Sequence, residues 1–224
     1  LLWTVLTQIF FFAGIWLAMK ASGWPRSVNA ATVFLVLSAL LIPNLQHSIW
    51  GQFNTIGVLS LGLCYWALVR GKYGWAGVWA AGLSFKPQAT LGALAFLVIW
   101  VVLDRRRWRF LFALAATGAG LWVFAEVLQP GWVLDFFRAL QNYARIPGYQ
   151  IESVLGAWGF WGWGRALLLL VAWLTLCWRH RAAAAQQPTF KAMLVLSLAL
   201  GWLAVPIVGM FQVVGGPMGL VLLF

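Results

Sequence analysis

Apolar residues fall into seven long runs, at residues 1–19, 28–43, 50–69, 75–103, 110–128, 157–178 and 193–208. Short basic or polar breaks separate them, such as Arg70-Gly71-Lys72, Asp104 to Arg109 and Arg179-His180-Arg181. Runs near the ~20 residues that a bilayer-spanning helix needs predict membrane helices. Residues 129–156 differ: Trp132, Phe136, Phe137, Leu140 and Tyr143 recur at near-helical spacing in a polar setting. That pattern predicts a segment lying along the membrane interface. Gly215-Gly216-Pro217 breaks the chain before a last apolar segment.

The pattern predicts an all-α fold, a polytopic helical bundle of about seven to eight membrane helices. It is read as one integral membrane domain over residues 1–224, with sequence missing at both ends. Composition agrees: 63% of the residues are hydrophobic and 8% charged, against roughly 25% charged in soluble domains. Seventeen Trp and sixteen Phe suit helix packing and interfacial anchoring. The net charge of +11 does not indicate nucleic-acid binding, because the basic residues sit between apolar spans rather than in a basic domain. Cys64 and Cys177 lie inside apolar runs and read as buried small residues.

Lys and Arg positions give an orientation. Eleven of the fifteen fall on one side, from Lys20 and Arg26 through Arg70, Lys72 and the Arg105–Arg109 cluster to Arg179, Arg181 and Lys191. That side is cytoplasmic by the positive-inside rule. Arg70/Lys72 and Arg105–Arg109 then share a side, although only one apolar run, 75–103, separates them. The run must therefore be a re-entrant or broken hairpin with Lys86-Pro87 at its apex. Arms of about 11 and 16 residues are roughly 16 and 24 Å long at helical rise. A Lys at such depth faces a cavity, a partner or a substrate, and Pro87 removes a backbone donor there. The apex lies toward the outer side with His47, Gln52 and Asn54.

Lys86 suits a phosphate, as a compact point charge; the plain alternative is pairing with Glu126, Asp135 or Glu152. Gln52 and Asn54 carry amides that bind sugar hydroxyls or cap backbone groups. His47 serves as acid, base or phosphate contact, or is simply an interfacial histidine. Glu152 and Asp135 are candidate acids for hydroxyl chemistry, or form ion pairs with Arg138 or Arg145. No His, Cys and carboxylate cluster has metal-ligand spacing, so no metal and no cofactor is expected.

Several of these residues also form a known order. Pro43, seven residues and Gly51-Gln52-Phe53-Asn54 are followed by Arg70-Gly71-Lys72, Ala76-Gly77, Gly82-Leu83, Lys86-Pro87 and the Arg106–Arg109 cluster. Over residues 43–109 this resembles the polyprenol-phosphate-sugar-dependent mannosyltransferases of glycosyltransferase family 87. The resemblance implies a GT-C fold and transfer of a hexose, mannose on the family pattern, from a polyprenyl-phosphate-linked donor lipid. The acceptor would be a glycan or glycolipid, and the active site would lie on the outer face of the inner (plasma) membrane. By analogy Lys86 contacts the donor phosphate, and Gln52 and Asn54 line the cavity. The general base of GT-C enzymes belongs to the first outer loop, which is expected upstream of Leu1. Gln150-Ile151-Glu152-Ser153 is a loose counterpart of a later Asn/Gln-x-Ser element, which adds Glu152 and Ser153 to the substrate-binding set. The tail after Pro206 departs from the family pattern. Two competing readings are a secondary transporter, whose broken helices also carry buried charge, and a non-catalytic assembly subunit.

Overall fold

The computed structural model describes residues 2–24, 27–40, 54–85, 87–143, 167–168 and 170–203. The described secondary structure is helical, with no strand among these residues, so the all-α expectation holds. The helices are α1 (Leu2–Ser22), α2 (Val28–Leu40), α3 (Asn54–Val69), α4 (Tyr73–Ala81), α5 (Pro87–Val102), α6 (Arg109–Leu128), α7 (Trp132–Tyr143), α8 (Leu170–Arg179) and α9 (Pro188–Leu203). Two 3-10 turns, Gly82–Phe85 and Arg105–Arg107, separate α4 from α5 and α5 from α6. Two segments, Leu2–Ser22 and Arg105–Leu128, are long and apolar enough to cross a bilayer.

Local chemistry sets the boundaries. α5 and α9 both begin with proline, whose fixed φ and missing N–H suit the first helical position. The predicted last run at 193–208 therefore starts earlier as a helix, at Pro188. α3 ends in a Schellman motif: the Gly71 N–H donates to Leu68 O (2.9 Å) and the Lys72 N–H to Ala67 O (2.9 Å). Gly71 sits at φ +67°, a conformation that side-chain-bearing residues adopt at a cost. The glycine of Arg70-Gly71-Lys72 thus has a structural reason to be there. α7 turns the near-helical spacing of the 129–156 segment into a real helix.

The chain forms two compact units, residues 1–115 with 176–224, and residues 116–175. In the first, α1 packs on α3, α3 on α4 and the Gly82–Phe85 turn, and α5 on α9. Backbones touch where α1 crosses α3. A Cβ on Gly14 would stand 2.6 Å from Val58 O, and one on Gly62 would overlap the Gly14 carbonyl. Small residues at such a crossing allow close van der Waals packing, which drives helix association where lipid removes the hydrophobic term. Phe190 centres an aromatic cluster, 4.8 Å from Trp100, 5.2 Å from Phe96 and 6.5 Å from Tyr65 between ring centroids.

In the second unit Glu126 Oε1 accepts the Gly131 N–H (2.8 Å) and thereby closes the turn between α6 and α7. Asp135 and Arg138 form an exposed pair at 3.2 Å, the ion-pair reading anticipated for Asp135. The C-terminal half of α6 is exposed and apolar, with Phe124 at 60% and Val127 at 73%. An apolar surface of that extent marks contact with a membrane or another protein surface.

Candidate functional site

Lys86 falls in sequence at the break between α4 and α5. Two hydrogen bonds brace that break from residues on either side of Lys86. The Ser84 hydroxyl donates to Ala81 O (2.6 Å), the Thr90 hydroxyl donates to Leu83 O across the break, and Leu83 is fully buried. Gly82 lies against Ser60 of α3, with no room for a Cβ. These contacts cover the turn's non-helical backbone with protein.

The far ends of the same stretch meet. The rings of Tyr73, at the start of α4, and Trp100, near the end of α5, are 6.4 Å apart. A continuous helix from 73 to 100 would separate them by about 40 Å, so the stretch doubles back. The junction where they meet also takes in other chain segments. The Trp100 indole N–H donates to Ala183 O (2.9 Å). Arg107 donates from Nη1 to Trp100 O and to Arg181 O (both 3.2 Å), and its guanidinium stacks on the Trp100 ring at 3.6 Å. Its Nε lies 3.2 Å from Asp104 Oδ2, an ion-pair contact without hydrogen-bond alignment. The Gln186 amide reaches Val69 O (3.4 Å). Arg70–Lys72, Asp104–Arg109 and Arg179–Gln186 therefore share one end of the first unit, as the charge pattern required. Arg107 differs from expectation: it is 7% exposed, a buried organiser rather than a solvated topology signal.

Depth follows from helix length. α3 runs 16 residues from Asn54 to Val69 and α5 runs 16 from Pro87 to Val102. Both starts stand about 24 Å from the basic end at helical rise. Asn54 opens α3 and Pro87 opens α5, each start one helix length from the basic end. Lys86, His47, Gln52, Glu152 and Ser153 lie outside the described residues, as does the side chain of Asn54. Asp104, Glu126 and Asp135 are each engaged in the contacts above. Among the described residues no group of His, Cys, Asp and Glu stands together to hold a metal.

Two buried hydroxyls escaped the sequence reading. Thr55 Oγ1, next to Asn54, and Tyr65 Oη are buried without a hydrogen-bond partner among the described residues. Composition gives no hint of either, since a lone Thr or Tyr in an apolar helix reads as packing.

The family model of glycosyltransferase family 87 matches residues 1–206 of this sequence. No curated protein matches it, and no solved structure does.

Proposed function

The chain belongs to glycosyltransferase family 87 and is a glycosyltransferase; on that premise we propose that it transfers a hexose, mannose on the family pattern, from a polyprenyl-phosphate-linked donor. The enzyme is a membrane-embedded GT-C bundle of about seven to eight helices, with residues 75–103 re-entering from the cytoplasmic side. The acceptor is a glycan or glycolipid presented at the outer face of the inner membrane.

One observation supports this reading above the others. The Tyr73–Trp100 contact folds the 75–103 stretch back on itself, which supports a broken middle away from the basic end, the cytoplasmic one on this reading. Lys86 stands in sequence between the braced turn and the first residue of α5. Donor phosphate at that level meets an ammonium and the N-terminal end of a helix, which carries about half a positive charge. In transfer, the acceptor oxygen forms a bond to the anomeric carbon while the bond from that carbon to the phosphate oxygen breaks. Negative charge grows on the departing polyprenyl phosphate, and Lys86 offsets it where water is scarce. Gln52, Asn54 and His47 hold the sugar and phosphate. Glu152 and Ser153 belong to the substrate-binding set only as the family resemblance implies.

The test is Lys86→Ala and Lys86→Gln in the whole protein, read by consumption of a polyprenyl-phosphate mannose donor. Both variants should elute and melt like the parent and lose transfer. Parental turnover in either one removes Lys86 from the donor phosphate.

A further inference from the structure

The basic end of the first unit carries more positive charge than its own structure uses. Arg107 is occupied by two carbonyls, an indole face and an ion-pair contact with Asp104. Around it, Arg70 and Lys72, Arg105 and Arg106, and Arg179 and Arg181 come from three separate turns, and all six are exposed. Asp104 is the one acid in the sequence of these segments, and it is already shared between Arg107 and the Arg106 N–H (3.0 Å). Nothing in these turns neutralises the six.

Their arrangement is more specific than a count of charges. Arg70 stacks on Trp66 at 3.7 Å, Arg181 on Trp178 at 4.4 Å, and Arg105 lies 5.9 Å from the Trp108 ring centre. A stacked guanidinium keeps its charge and much of its N–H edge available for an oxyanion, which suits bidentate phosphate contact. The Trp108 and Trp178 rings are 40% and 58% exposed, as indoles are at the level of lipid headgroups. Arg107 and Trp100 hold the turns together, so the cationic groups keep their spacing without help from a ligand.

We propose that this end is a binding surface for anionic phospholipid headgroups of the leaflet it faces. The occupant is a lipid phosphate rather than a soluble anion, because exposed indoles flank the guanidiniums and supply contacts that only a lipid uses. The surface is separate from the transfer site and does not depend on the reading of Lys86.

The experiment uses the full chain in non-ionic detergent, titrated with dioleoylphosphatidylglycerol or dioleoylphosphatidylcholine and read by native mass spectrometry. The parent should retain phosphatidylglycerol with a preference of about tenfold, which falls as salt rises. Replacing Arg70, Arg105, Arg106 and Arg179 by Gln should bring the two lipids to parity. Should that variant fail to fold, Arg105→Gln with Arg106→Gln should still lower the preference at least twofold. Arg138→Gln, on α7 of the second unit, should leave it unchanged. Parity in the parent, an undiminished preference in the Gln variants, an equal loss in Arg138→Gln, or equal competition by soluble glycerophosphate each overturns the proposal.

Discussion

Tyr73 and Trp100 stand ring to ring, 6.4 Å between centroids, although they mark opposite ends of one apolar stretch. Their contact makes that stretch a hairpin instead of a crossing. On the proposed topology Lys72 and Arg105, just beyond the two ends, lie on the same side of the membrane. Lys72→Cys and Arg105→Cys should both react with an impermeant maleimide from the cytoplasmic face of inverted vesicles, and from that face only. Labelling from opposite faces would mean that the stretch crosses.

The native thiols give that experiment a clean background. Cys64 is 0% exposed and Cys177 is 3% exposed, and both are free. In the folded parent neither should react with a water-soluble maleimide within the time that labels an exposed cysteine. Both should react after denaturation, as a mass shift would record.

Gly14 and Gly62 predict a steep response to a single methyl group. Gly62→Ala drives a Cβ into the Gly14 backbone, and such overpacking costs roughly 1–3 kcal/mol, more when backbone must move. Gly118→Ala in α6 meets nothing within 4 Å and should be neutral or gain up to about 1 kcal/mol from helix propensity. Thermal unfolding in detergent should separate the two by several degrees. Equal midpoints would show that the α1–α3 crossing is looser than described.

Arg107 should tolerate no neutral replacement. Arg107→Met leaves the Trp100 and Arg181 carbonyls and Asp104 without their shared donor, and hydrogen bonds to a charged group are worth about 1.5–3 kcal/mol each. Arg107→Lys keeps the charge but loses the planar fork and the stacking on Trp100, so its midpoint should fall between Met and the parent. A Lys variant as stable as the parent would show that charge alone suffices.

Glu126 predicts a smaller loss. Its carboxylate accepts the Gly131 N–H at 2.8 Å, and Glu126→Ala should cost about 1 kcal/mol of local stability. Amide hydrogen exchange at Gly131 and Trp132 should speed up while exchange in α3 does not change. Uniform acceleration would point to a global effect.

Much of this was legible in the sequence for reasons that can be named. Helix positions follow from apolar run length, and the hairpin follows from Arg70/Lys72 and Arg105–Arg109 needing one side. The face that each helix turns to a neighbour was not legible. Protein-facing and lipid-facing positions are both apolar, so nothing in the run 1–19 singles out Gly14 as the point of contact with α3. Arg107 looked like its neighbours Arg105 and Arg106 because a cluster of identical side chains does not reveal which one turns inward. Glu126 reads in sequence as a partner for Lys86; among the described residues its carboxylate, five residues before a left-handed glycine, accepts the N–H that closes the local turn. Of the site residues, Asn54 is placed as the opening of α3. His47, Gln52, Lys86, Glu152 and Ser153 lie outside the described residues, and their roles rest on the family and on the frame that the hairpin supplies.

The bonds at the basic end join positions 74, 83 and 117 residues apart in sequence. Closing loops of that length is an expensive and late step in folding. α4 and α5 are made before Arg181, Ala183 and Gln186, so their fastening waits for a later part of the chain. The stretch that bears Lys86 in sequence is made early and fastened late, and until those residues arrive the hairpin lacks its ties at the basic end. Variants that weaken the fastening should then show themselves as poor yield in the membrane rather than as slow turnover in the molecules that mature.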